Sequence, residues 1–278
     1  MNYVMSNQNV SIPCILYGTA WKKERTAELV EQALQNGFRG IDTACQPKHY
    51  EEALVGKGIA RFYEHGGKRD ELFIQTKFTP INGQDPMRVP YDPQASLEAQ
   101  ILHSCAVSKS NLQTTYLDSL LLHSPLFPYT NLLKVWRVFE HLIEKQDVHQ
   151  IGISNFYDLS LLQRLWHDAG IKPSVVQNRF YQESDYDKAL RAWCHDVGII
   201  YQSFWSLTAN PHLLQSDLLR TIARHYQKSP EQIFYRYLTH KGIVPLDGTT
   251  SQQHMKEDLA IFEFMLEEKD IKSIDALI

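Results

Sequence analysis

The chain has 278 residues, 43% of them hydrophobic and 22% charged, and its formal net charge is −4 at pH 7. The length suits one α/β barrel or two small domains with a large buried core. The acidic balance and the lack of any long lysine or arginine run exclude nucleic acid as the main partner, and no apolar stretch approaches the roughly 18 residues that a membrane helix needs.

The first residues, MNYVMSNQNVSIPC, lack a charged segment followed by an apolar core, so no signal peptide is read there. Short apolar or β-branched runs then recur: CILYGT (14–19), FRGIDTA (38–44), LFIQTKF (72–78), YLDSLLLH (116–123), VHQIGISN (148–155), SVVQNRF (174–180), GIIYQSFW (198–205) and GIVPLDG (242–248). Helical patterns lie between them. Asp158 is placed to cap a helix whose Leu161, Leu162, Leu165, Trp166 and Ala169 share one face. Ser229-Pro230-Glu231-Gln232 is a capping box with proline at the first helical position. Gly37, Gly170, Gly198 and Gly242 each stand just before a strand, where a helix ends with a residue at positive φ.

Eight strands alternating with helices predict a parallel sheet with crossover helices. Their continuous apolar character predicts that both faces are covered. An open doubly wound sheet fits this pattern, but the count of eight and the length favour a (β/α)₈ TIM barrel, one domain over 1–278. The stretch 79–93, TPINGQDPMRVPYDP, holds four prolines and reads as a long functional loop. The four cysteines, Cys14, Cys45, Cys105 and Cys194, form no C-x-x-C pair. Neither a zinc site nor a thiol redox pair is expected, and the thiols are read as reduced in a cytoplasmic protein.

Chemistry in such barrels sits at the C-terminal strand ends. The second run ends at Asp42, and its loop carries Lys48, His49 and Tyr50; the third carries Lys77 and the fourth ends at His123. The fifth ends at Ser154 and Asn155, the sixth carries Gln177, the seventh Phe204 and Trp205, and the eighth Asp247 and Thr249. Three neighbouring strands thus present Asp, Lys and His, with a phenol close by. A nearby ammonium lowers a phenol's pKa, an aspartate keeps that ammonium charged, and a histidine orients a carbonyl oxygen. Asp42, Tyr50, Lys77 and His123 are therefore read as a tuned general acid. No metal-ligand spacing, nucleophile elbow or phosphate loop is present in the sequence.

The segments GFRGIDTA, FIQTK, LLLHSP, IGISNF and VVQNRF, in this order, resemble the aldo-keto reductase superfamily. The resemblance runs from about Gly18 to the SIDAL near the C-terminus. It implies a (β/α)₈ barrel that reduces aldehydes and ketones with NADPH, less often NADH. It implies a catalytic tetrad of Asp42, Tyr50, Lys77 and His123. Ser154, Asn155 and Gln177 match residues that hold the nicotinamide carboxamide, and Phe204 the aromatic on which the nicotinamide ring stacks. Gly18, Thr19, Leu207, Thr249, His254 and Glu257 are the further cofactor positions. Trp21, Phe127 and the 79–93 loop are expected to shape the substrate pocket.

Two departures stand out. The tyrosine falls later in its loop than the common family spacing, which leaves His49 as rival to Tyr50. The lysine and arginine that clamp a 2′-phosphate are replaced by Leu246-Asp247-Gly248 and His254. Lys241 and Lys256 are the other cations within sequence reach, and Asp247 is placed to accept from a ribose 2′-hydroxyl instead. NADPH is the expected cofactor, with NADH as the alternative. The expected enzyme is a monomeric carbonyl reductase acting on a small molecule. The competing reading is a barrel kept without catalysis, as a cofactor-sensing or partner-binding subunit.

Overall fold

The computed structural model describes residues 2–278. Each apolar run becomes a strand: β3 (Leu16–Gly18), β4 (Gly40–Asp42), β5 (Phe73–Phe78), β6 (Ser119–Leu122), β7 (Ile151–Ser154), β8 (Val175–Arg179), β9 (Ile200–Phe204) and β10 (Val244–Asp247). Every neighbouring pair is parallel, and β10 returns to β3, so the sheet closes into a barrel of eight strands. β1 (Tyr3–Met5) and β2 (Ser11–Pro13) form an antiparallel hairpin that no apolar run announces. Its Ile12 joins Leu16, Phe73, Leu121, Val175 and Val244 in one buried cluster inside the barrel, and the hairpin thereby plugs the end opposite the strand C-termini.

The helices are α1 (Thr26–Asn36), α2 (Glu52–Glu64), α3 (Leu97–Asn111), α4 (Tyr129–Glu144), α5 (Leu159–Asp168) and α6 (Lys188–Val197). There follow α7 (Pro211–Leu214), α8 (Asp217–Tyr226), α9 (Pro230–His240), α10 (Gln252–Leu259) and α11 (Glu268–Asp275). A second, larger core fills the layer between strands and helices. None of these helices is long and apolar enough to cross a membrane. The expected caps form: Asp158 Oδ1 accepts from the Leu161 amide at 2.9 Å, and the Ser229–Gln232 box closes in both directions. Gly37, Gly198 and Gly242 take positive φ, as expected. Gly170 does not. Its amide instead donates to Glu140 Oε1 at 2.7 Å, so a side chain on α4 anchors this passage.

Helix packing is tight where α2 meets α3. A Cβ on Gly56 would lie 1.9 Å from the Asn111 carbonyl oxygen. Helix propensity alone makes a Gly-to-Ala change in a helix interior favourable by about 1 kcal/mol. Here the contact reverses the sign: Gly56→Ala is expected to destabilise by about 1–3 kcal/mol, since backbone must shift to admit the methyl group. A thermal melt with a raised midpoint would contradict this account of the α2–α3 contact.

Candidate active site

Side chains alternate along a strand, so residues two apart share a face. On β5 the inward face carries Gln75 and Lys77, on β8 Gln177 and on β9 Gln202. The three glutamines meet on the barrel axis. Gln75 Nε2 donates to Asp42 Oδ1 at 2.8 Å and to Gln202 Oε1 at 2.7 Å, and Gln177 Nε2 donates to the same two oxygens at 2.9 Å each. Ser119 Oγ donates to Gln75 Oε1 at 2.8 Å. This polar layer grips one oxygen of Asp42. Lys77 Nζ takes the other at 2.6 Å and also donates to the Thr43 carbonyl at 2.9 Å. Lys77 and Asp42 are 1% and 2% exposed, so each charge needs the other and the hydrogen bonds around it. Burial lowers the Lys77 pKa, and Asp42 opposes that shift.

The loop after β4 is held from two sides. Cys45 bridges to Phe78 at the end of β5, and Gln46 Nε2 donates to the Gly83 carbonyl at 2.7 Å. The Tyr50 amide donates to the Gln46 carbonyl at 3.1 Å. This turn sets the Tyr50 ring centroid 5.4 Å from Lys77 Nζ and 6.0 Å from the His123 ring. The His49 ring lies against Trp21, with centroids 3.9 Å apart, on the wall of the same cavity. Tyr50, rather than His49, therefore stands beside the buried ammonium.

The phenol is not tuned as the sequence suggests. Burial and then the Asp42 carboxylate push its pKa up, not down. The physical reason is burial first, since the phenol is enclosed away from water, and then the nearby Asp42 carboxylate, which disfavours a second anion. The Cys45 thiol is likewise pushed up by burial. His123 Nδ1 lies 2.7 Å from Thr79 Oγ1. Burial and the Lys77 charge push the imidazole down to about 3, so it is neutral at ordinary pH.

These side chains open onto one cavity of about 860 Å³, within the range of small-molecule and cofactor sites. Asp42, Tyr50 and His123 line it, and Lys77 stands behind Asp42. Gly18, Thr19, Trp21, Ser154, Asn155, Gln177, Phe204, Leu207, Thr249, His254 and Glu257 all line it too. The three polar side chains expected to hold the carboxamide are bonded within the protein. Gln177 holds Asp42, Ser154 Oγ donates to the Gln177 carbonyl at 2.8 Å, and Asn155 Nδ2 donates to the His123 carbonyl at 2.8 Å.

Other expected residues stand apart from this cavity. Phe127, just before α4, is 67% exposed and does not line it. The 79–93 loop does not line it either. Its Tyr91 is buried, with the hydroxyl donating to the Thr79 carbonyl at 2.7 Å, and Gln84 Nε2 donates to the Cys45 carbonyl at 3.0 Å. The loop thus folds back to buttress the turn that carries Tyr50. Lys241 pairs with Asp275 at 3.1 Å, and neither it nor Lys256 lines the cavity.

The end of the cavity near β10 is acidic. Asp247 and Asp258 are both buried, and Glu231 and Glu257 stand beside them on the lining. Asp247 Oδ1 accepts from the Thr249 amide at 2.8 Å, while Oδ2 has no N–H donor from the described residues. The Asp258 carboxyl stands beside it, and burial followed by the Asp247 charge pushes Asp258 up to about 9. Lys22 donates to the carbonyls of Gly248 and Thr249, which occupies the one lysine on the lining.

Gln75, Gln202, Thr79 and Asp258 were not read from the sequence as site residues. Strand parity was the available signal for three of them, since Gln75 and Thr79 flank Lys77 at two residues and Gln202 precedes Phe204 by two. A neutral buried His123 binds fewer protons than the unfolded chain does below the ordinary imidazole value. Its contribution to stability is therefore present above about pH 6.5 and is lost as pH falls toward the folded-state value. The His123 ring is expected to show no titration by NMR between about pH 8 and about pH 5. A midpoint near the free-histidine value would show that the ring is not buried beside a charged Lys77.

The Aldo/keto reductase family model matches residues 15–278. The glyoxal reductase of Bacillus subtilis (strain 168) is 34% identical over 251 residues, which covers 90% of this chain and 82% of that protein. The methylglyoxal reductase DkgA of Yersinia pestis is 29% identical over 259 residues, covering 91% and 84%. A crystal structure of an aldo/keto reductase from Brucella melitensis superposes with a TM-score of 0.84 at 28% identity, over 100% of this chain and 99% of that one. The closed barrel, its matched length and these relatives agree: the chain is an NAD(P)H-dependent carbonyl oxidoreductase and belongs to the aldo/keto reductase family.

Proposed function

We propose that this enzyme reduces small aldehydes and ketones to alcohols with Tyr50 as the proton donor. The observation that carries the reading is the Tyr50 ring 5.4 Å from a lysine that is itself locked to Asp42. A bound reduced nicotinamide supplies the hydride for the carbonyl carbon. The Tyr50 hydroxyl gives its proton to the carbonyl oxygen as negative charge develops there. The raised pKa keeps that proton in place until then, and the Lys77 ammonium stabilises the phenolate that forms. With the Thr79 hydroxyl donating to Nδ1, the neutral His123 carries its hydrogen on Nε2 and orients the carbonyl oxygen.

The residues present fit a nicotinamide cofactor. Phe204 offers a ring at the wall, Ser154, Asn155 and Gln177 offer polar side chains nearby, and Asp247 Oδ2 is a buried acceptor without a donor. At the β10 end four carboxylates face a single lysine, Lys22, whose ammonium donates to the Gly248 and Thr249 carbonyls, and this balance favours a ribose 2′-hydroxyl over a 2′-phosphate. The NADPH expected from the resemblance therefore gives way to NADH binding at least as tightly. The named activities of the two relatives suggest small dicarbonyls as the first substrates to assay.

Tyr50→Phe is expected to lower kcat by about 10²–10⁴-fold while leaving the Kd for NADH unchanged, because general acid catalysis is lost and no binding contact is removed. Retained turnover would move the proton donor elsewhere. Parallel fluorescence titrations with NADH and NADPH are expected to give the lower Kd for NADH, or equal values. A Kd for NADPH lower by tenfold or more, on the order of 1.4 kcal/mol, would mean that a cation such as Lys22 reaches the 2′-phosphate and would reject this cofactor assignment.

A further inference from the structure

Tyr50 reaches the buried ammonium without a bond of its own. Its ring faces Lys77 Nζ at 5.4 Å and the His123 ring at 6.0 Å, and no group among the described residues holds its hydroxyl. A proton donor with a free hydroxyl keeps its aim only through the backbone on either side. Before Tyr50, the turn is fixed at Gln46, whose carbonyl accepts from the Tyr50 amide. After it comes Glu52, the first residue of α2.

Glu52 is 5% exposed, and no cation among the described residues pairs with it. A buried acid without a counter-ion is costly unless its oxygens are filled by donors. Both are filled. Oε1 accepts from Thr76 Oγ1 at 2.6 Å, and Oε2 accepts from Asn111 Nδ2 at 3.1 Å. Burial pushes the carboxyl up, and these donors oppose that shift.

The positions of the two donors matter. Thr76 directly precedes Lys77 on β5. Lys77 points to the barrel axis, so Thr76 points outward to the helix layer. Glu52 therefore grips, from behind, the strand whose front carries the ammonium. Asn111 ends α3, and its carbonyl oxygen is the atom that Gly56 abuts one turn further along α2. The first turn of α2 is thus pinned on two sides. A short circuit closes: Tyr50 stands two residues from Glu52, Glu52 bonds Thr76, Thr76 adjoins Lys77, and Lys77 faces the Tyr50 ring.

We propose that Glu52 is a positioning residue for proton transfer, which by bonding Thr76 fixes the distance between the Tyr50 hydroxyl and the Lys77 ammonium. This rests on the reading of Tyr50 as the proton donor.

Glu52→Leu is expected to lower kcat by about tenfold to a hundredfold, the cost of a donor misplaced by about 1 Å. The KM for methylglyoxal and the Kd for NADH should stay as in the wild type. Glu52→Gln should keep most of the turnover, since its amide oxygen still accepts from Thr76 and the Asn111 amide turns over to meet its nitrogen. Thr76→Val removes the same bond while leaving the carboxyl in place, and it carries the test if the leucine variant does not fold. It should lower kcat in the same direction, and Thr76→Ser should restore it. Added to Tyr50→Phe, Glu52→Leu should lower the residual turnover no further, because a residue acting through the tyrosine has nothing left to align. A further loss in that background overturns the proposal. So does a Thr76→Val enzyme with the wild-type kcat, or an effect that falls on the Kd for NADH. If Tyr50→Phe keeps full turnover, the proton-donor reading is what fails. The Tyr50 ring resonances, identified in isotope-labelled protein by their loss in Tyr50→Phe, then decide the positioning role: a shift in Thr76→Val supports it, and unchanged resonances overturn it.

Discussion

The buried pair of Asp42 and Lys77 is the constraint on which the rest of the site depends. Two unit charges taken out of water carry a desolvation cost of several kcal/mol each, and attraction alone does not guarantee its recovery. Here every nearby group contributes. The Gln75 and Gln177 amides fill one carboxylate oxygen, the ammonium fills the other, and the Thr43 carbonyl takes a further ammonium hydrogen. Four strands meet at this point, because β4 and β5 bring the charges and β8 and β9 complete the glutamine layer. A barrel can do this where an open sheet cannot, since closure turns side chains from distant strands toward one axis.

From that pair the site grows outward. The ammonium faces the Tyr50 ring, and burial followed by the ammonium charge keeps His123 neutral. The loop that delivers Tyr50 has little regular structure of its own and is held by contacts from the proline-rich stretch, through Gly83 and Gln84. That stretch spares the turn the entropy of searching for its place, and its first residue, Thr79, touches the His123 imidazole directly.

The cavity is polarised. One end carries the neutral imidazole and the phenol; the other carries the carboxyl pair of Asp247 and Asp258. Such a gradient orients an asymmetric ligand before any close contact is made. It also sets this chain apart from a simple copy of the family pattern, in which the far end would carry the cations.

The strands were legible because barrel strands are covered on both faces and read as short apolar runs between capped helices. The residues Asp42, Lys77 and His123 were legible because strand ends of a barrel share one level. The N-terminal hairpin was not, since its strands are three residues long and β1 is largely exposed, which leaves no periodic signal. Phe127 and the 79–93 loop were misplaced because their residue types suggest a pocket wall while only the path of the chain decides which way they face. The sequence by itself determined the barrel, the order of its strands and the residue types at their ends. Tertiary structure alone decided that Tyr50 is buried beside Asp42, so that its phenol is pushed up rather than down, and that Asp247 meets Asp258 across the β10–α10 layer. The reason is physical: pattern follows burial, which is a local property of each segment, whereas pKa values and hydrogen-bond partners depend on distances between groups far apart in the chain.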